Sequence, residues 1–155
     1  MRSFNISSFL FFCCILIACN NDTVYQHKEK IEFESWSYGQ ILNYNWTIKD
    51  TIDWYSMQLK IEHLPNLNYR NTYVKCITSF PDSSKKEQIL SLELFDAAGI
   101  PFGKCSNSKC NTEISLIAKS KFQFQGEYGL SIEQYGRDSV VMGINSFELD
   151  IKKLR

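Results

Sequence analysis

The residues with the most defined chemistry lie near the N-terminus. Leu16-Ile17-Ala18-Cys19 closes an apolar run, with Leu three positions and a small Ala one position before the cysteine. That spacing fits a lipobox. The Cys19 thiol takes a diacylglycerol, the chain is cut before it, and the new amino terminus is usually acylated too. Two or three acyl chains, at about 0.8 kcal/mol per buried CH2, hold a water-soluble domain on a membrane; one chain alone does not. Arg2 is the only charge before Asp22, and Phe4 to Ile17 is apolar apart from Asn5, Ser7 and Ser8. The stretch is shorter than the roughly 20 residues that cross a bilayer. It reads as a lipoprotein signal peptide over 1–18, cleaved, followed by a lipidated tether over 19–23. Two competing readings, an ordinary secretory signal and an uncleaved anchor, give Cys19 no special role. Surface-exported lipoproteins carry clustered acids after the cysteine; one acid here favours the periplasmic face of the outer membrane.

The remaining cysteines point to structure. Cys13 and Cys14 leave with the signal. Cys105 and Cys110 are close enough in sequence to pair, which leaves Cys76 as a buried thiol. The pair is read as a disulfide closing a tight loop between strands, in keeping with an oxidising envelope. Such a small loop removes little unfolded-chain entropy, so the bridge mainly shapes the loop. A zinc site would have to recruit Cys76 and His63, and neither has ligand spacing. No metal is expected, and no cofactor beyond the covalent lipid on Cys19.

Catalytic signals are poor. His27 lies close to the tether, and His63 ends a strand, where turn or packing roles are common. There is no nucleophile elbow, no HExxH and no phosphate-binding glycine loop. Glu127, Glu133 and Asp138 are spread as strand and turn residues are; a glycosidase pair is set by distance in space, which spacing does not give. No catalytic residue and no small-molecule substrate are expected. Trp36, Trp46 and Trp54, with Tyr38, Tyr44 and Tyr55, crowd one part of the chain. They could form a platform that stacks sugar rings, or fill the core and cap its ends. The core reading is preferred.

Removing 18 residues from 155 leaves 137, enough for one domain with a core. Without Arg2 the balance is 16 basic against 17 acidic residues. No basic excess exists to hold nucleic acid, and no polybasic run suggests binding to anionic lipid.

The elements that would position these residues are short strands. Tyr55 to Glu62 alternates, with Met57, Leu59 and Ile61 on one face. Further strands are predicted over Thr72–Phe80, Ile89–Phe95, Thr112–Ala118, Phe122–Phe124, Glu127–Tyr135, Val140–Ile144 and Phe147–Ile151. Leu90, Leu92 and Leu94 share a face, as do Tyr128, Leu130, Ile132 and Gln134. Weaker candidates lie near Ile31–Phe33 and Trp46–Ile48. Eight to ten strands and no helical period predict an all-β fold: a single antiparallel β-sandwich over 24–155, jelly-roll or immunoglobulin-like.

Four pieces of the chain resemble the gliding motility lipoprotein GldH family. They are the lipobox with Val24-Tyr25 after it; Trp36 followed by Ile52-Asp53 and Tyr55 to His63; Tyr69 to Val74; and Phe122-x-Phe124-x-Gly126-x-Tyr128 with Ser131 to Gln134, Arg137-Asp138 and Gly143-Ile144. The cysteine pair after Gly99-Ile-Pro-Phe-Gly103 departs from the family pattern, as does Tyr135-Gly136 before Arg137. The resemblance implies a membrane-anchored, non-enzymatic component of the bacterial gliding machinery and its associated secretion system, with other machinery proteins as partners. The alternative is a lipid-anchored carbohydrate-binding module, with Trp36, Trp46 and Trp54 as ligand aromatics.

Overall fold

The computed structural model describes residues 22–154. The signal peptide over 1–18, Cys19 and the first part of the tether lie outside the described residues. Eleven strands make up the described chain: β1 (Thr23–Lys30), β2 (Ser35–Ser37), β3 (Leu42–Ile48), β4 (Trp54–His63), β5 (Asn71–Ser79), β6 (Lys85–Glu93), β7 (Lys104–Ser106), β8 (Lys109–Ser120), β9 (Gly126–Gln134), β10 (Val140–Met142) and β11 (Ile144–Leu154). Two antiparallel sheets pack face to face, in the orders β1-β11-β4-β8-β7 and β3-β9-β5-β6, and β2 and β10 form a separate ribbon.

The pairing has a simple logic. β5 and β6 form a hairpin, and outward from it β4 pairs β8, β3 pairs β9, β2 pairs β10 and β1 pairs β11. The chain is one long antiparallel ribbon wrapped on itself, with successive pairs falling in alternate sheets. That is jelly-roll order, and it decides between the two sandwich topologies that alternation leaves open.

Period-two alternation places the core as expected. Met57, Leu59 and Ile61 are buried from one sheet; Tyr128, Leu130, Ile132 and Gln134 are buried from the other. Phe147, Leu149 and Ile151 of β11 are fully buried.

Three strand expectations are corrected. Ile31 is buried, but Glu32–Glu34 forms a 3-10 turn, with Phe33 and Glu34 at φ of 54° and 53°. The chain turns there from the five-stranded sheet into the β2–β10 ribbon, and an extended strand would overshoot. Phe122–Phe124 is a loop; Phe122 turns in against the core while Phe124 is exposed. Val140–Ile144 is broken at Gly143, whose φ of +91° suits glycine and whose Cβ position lies against the tip of Leu67. Strands β1, β2 and β7 are additions: β2 and β7 have three residues each, too short for alternation to reveal, and β1 is an eight-residue edge strand, largely polar and exposed, with no apolar row to mark it.

The two ends of the sandwich differ. At one, the β2–β10 ribbon lies across the core with Trp36 against Phe147, ring centroids 4.7 Å apart. Trp36 Nε1 donates to the Gln40 carbonyl at 2.9 Å. Phe95 packs on His63 at the same end, 5.3 Å between rings. The opposite end carries the β3–β4, β5–β6 and β8–β9 loops. β1 starts there too, since Thr23 pairs with Lys152 of β11 and Lys153 with Tyr55 at the start of β4.

Candidate functional site

The three tryptophans do not share a surface. Trp36 is 0%, Trp46 4% and Trp54 43% exposed, so the sugar-stacking platform is corrected. The inward row of β3 carries Leu42, Tyr44, Trp46 and Ile48 into the core, and β2 directs Trp36 onto Phe147. Trp46 is stacked on Tyr128, 5.9 Å apart with planes 12° from parallel. Trp54 precedes inward-facing Tyr55 and therefore points out. Lys119 and Lys121 hold their ammonium groups 4.8 and 5.1 Å from its ring.

Cys105 and Cys110 face each other across the β7–β8 pair and are joined by a disulfide, Cα atoms 4.0 Å apart. Cys76, on the inward row of β5, is a free thiol 2% exposed. Burial pushes its pKa up to about 11, so little thiolate exists at neutral pH.

His27, His63, Glu127, Glu133 and Asp138 are not brought together among the described residues. His27 is exposed, 2.9 Å from Glu29. His63 is fully buried: Nδ1 donates to the Leu64 carbonyl at 2.8 Å, and Nε2 accepts from the Thr112 hydroxyl at 2.9 Å. Burial, only partly opposed by the Leu64 hydrogen bond, holds its pKa below 6.5. Both nitrogens are occupied, which makes it a packing residue. Glu133 pairs with Lys75 at 2.6 Å, and Asp138 accepts from the Tyr69 hydroxyl. Glu127 sits six positions from Glu133 along β9, roughly 20 Å away. Among the described residues no group of three or more His, Cys, Asp and Glu could hold a metal.

What the structure brings together is a cleft. The sheets touch at the β1/β3 side, where Tyr25 meets Trp46 and His27 meets Tyr44, ring centroids 6.1 Å apart in both pairs. They part at the opposite side, between β6 and β8, toward the end where β1 begins. The gap is a cavity of about 480 Å³. Trp46, Met57, Cys76, Leu116, Ile117, Phe122, Tyr128 and Leu130 line it, with Leu90 beside Gln88 and Lys86 along β6, and Lys121 and Gln123 from the β8–β9 loop. One sequence signal foreshadows it. The inward row of β6 runs Lys86, Gln88, Leu90, Leu92, so its first half faces no complete apolar partner.

Fold and cleft together define a jelly-roll domain with a cleft at one open end, apolar along Leu90, Leu116, Ile117 and Phe122 and polar along Thr78, Lys86, Gln88 and Lys121. The chain belongs to the GldH lipoprotein family, whose sequence model matches residues 23–151. Membrane association through a lipid is what this family membership implies, and no helix among the described residues is long and apolar enough to cross a membrane. No protein of curated function matches the chain. Among solved structures, one similar chain is a family GH115 4-O-methyl-α-glucuronidase with specificity for decorated arabinogalactans. It is 12% identical with a TM-score of 0.47, over 88% of this chain and 18% of that one. Another is dimeric latent PorU from Porphyromonas gingivalis, 10% identical with a TM-score of 0.33, over 86% of this chain and 13% of that one. This chain thus spans less than a fifth of either.

Proposed function

We propose that this protein is a lipid-anchored, non-enzymatic component of the gliding motility machinery and its associated secretion system, acylated at Cys19 on the periplasmic face of the outer membrane. The observation that carries the reading is the family match over 23–151. The placement of the fold is consistent with it: β1 starts four positions after Cys19, so the domain would follow the anchor with almost no linker. Confinement to a membrane raises the domain's effective concentration for membrane partners. Sheet edges then offer docking by strand addition, and β6 is the long one, nine residues with its outer edge unpaired among the described strands. Lys85, Lys86, Glu87 and Glu93 on β6 guard that edge against indiscriminate pairing.

The test is crosslinking in the native membrane followed by pull-down, beside a Cys19→Ala control. Recovery of motility or secretion proteins with the acylated form alone is the expected result. Envelope polysaccharide in their place would turn the reading to glycan binding, and identical recovery from both forms would remove the anchor from the mechanism.

A further inference from the structure

We propose that the cleft between β6 and β8 binds a single acyl chain bearing an anionic head group, a fatty-acid-like amphiphile. The chain lies among Leu90, Leu116, Ile117 and Phe122, and the head meets Lys86 at the mouth, where Lys121 joins it on leaving the outward-facing Trp54 ring. A volume of about 480 Å³ falls within the roughly 300–1,000 Å³ usual for small-molecule sites. A gap of that size between two sheets forfeits the dispersion contacts that close packing supplies elsewhere in the core. An apolar chain restores them.

The polar groups select the head. Lys86 and Lys121 line the cleft and no carboxylate does, so its field favours an anion. Trp46 Nε1, buried at the cleft's floor, has no hydrogen-bond partner among the described residues, but the head at the mouth does not reach it and the selection rests on the lysines. Flat sugars fit poorly: Trp46 is already stacked on Tyr128, and Phe122 meets Tyr55 and Tyr128 edge-on.

The choice of an acyl chain also rests on the anchored reading above. The cleft lies toward the end where β1 begins, and Cys19 stands three residues before Asp22, a reach of roughly 10 Å. Ile52 and Phe124 from the loops at that end, and Trp54 at the start of β4, are 78%, 43% and 43% exposed. An apolar and indole-bearing rim with adjoining lysines suits a membrane interface, where the stems sit in apolar surroundings and the charges stay in water.

Cys76 reports on the site, because it lines the cleft and is the one free cysteine among the described residues. The acylated full-length protein, in vesicles of its own membrane at pH 9, is treated with a small methanethiosulfonate while dodecanoate or neutral dodecanol is added. Mass spectrometry follows Cys76. Dodecanoate is expected to slow modification saturably, about tenfold. Dodecanol should be about fivefold less effective, and Lys86→Glu with Lys121→Glu should erase that difference. Leu116→Trp and Leu90→Trp, each filling the cleft, should abolish dodecanoate protection, with thermal melts identifying any variant that fails to fold. Equal rates with and without dodecanoate, or protection that survives both folded tryptophan variants, would overturn the proposal. So would a Cys76 that is slow in the acylated form and fast in Cys19→Ala without added ligand, since the protein's own lipid would then fill the cleft. Membrane fractionation of the same samples keeps the two readings apart. Soluble protein with protection intact sinks the anchor, and anchored protein without protection sinks the cleft.

Discussion

The two ends of this jelly roll are built from the same residue classes and reach opposite results. At the ribbon end, Trp36 packs on Phe147 and Phe95 on His63; Trp36 Nε1 has the Gln40 carbonyl and His63 has Leu64 and Thr112, although Thr72 Oγ1, Gln134 Oε1 and Asn145 Oδ1 nearby have no partner among the described residues. At the cleft end, Trp46, Phe122 and Tyr128 also pack together, but Trp46 Nε1 has no partner and the sheets stand apart over about 480 Å³. The difference lies in what covers each end. The β2–β10 ribbon supplies a lid at one. At the other, the loops pass around the gap and β6 extends polar residues into it. A complete end serves stability, and an incomplete one is available for binding.

Substitutions can break or sharpen this contrast. The largest effect should come from Trp36→Ala, which removes the lid's main contact. Unfolding in urea should show a loss of about 3–5 kcal/mol, or no folded protein at all. Two leucines on the same face of β6 give the cleanest comparison. Leu92 is 1% exposed, and Leu92→Ala should cost about 3 kcal/mol; half-buried Leu90, beside the cleft, should cost about 1 kcal/mol by the same measurement. Equal losses would mean that the cleft is closed in solution.

Next is a pH effect at the ribbon end. His63 titrates below the 6.5 of a free imidazole because burial disfavours its charged form. Well above pH 6.5 it is neutral folded or unfolded, and its contribution is complete. As pH falls below 6.5 the unfolded chain takes up the proton first, so stability declines until the folded value is passed. Urea midpoints at pH 7.5 and 5.5 should therefore differ in wild type. His63→Gln should flatten that difference while lowering stability by about 1–3 kcal/mol at pH 7.5.

Opening the Cys105–Cys110 bridge by the double serine variant should cost about 2 kcal/mol, as expected for a loop this short. The smallest effect belongs to Trp54→Ala on the cleft end. Its cation–π contacts with Lys119 and Lys121 are worth under about 1 kcal/mol at an exposed site, so the thermal midpoint should barely move.

Much of the fold was legible because burial leaves a period-two trace. Met57, Leu59 and Ile61 alternate with polar neighbours, and so do Tyr128, Leu130 and Ile132; each row went where alternation sends it. The 3-10 turn at Glu32–Glu34 was not legible, since Ile31-Glu32-Phe33 reads as alternating while its left-handed turn answers a change of sheet. Phe122–Phe124 misled for a related reason. Two aromatics at i and i+2 suggest a strand face, yet one is drawn into the core and the other left outside. The tryptophans show the same limit, because their crowding in sequence carried no information about which of them face water.

By itself the sequence determined the all-β class, the family and the facing of the long strands, because each depends on residues close together in the chain. The order of strands, the meeting of β6 with β8 across a gap and the isolation of Trp46 Nε1 were decided only in three dimensions. They depend on which distant segments pair, and in a ribbon wrapped on itself the first strand waits for the last.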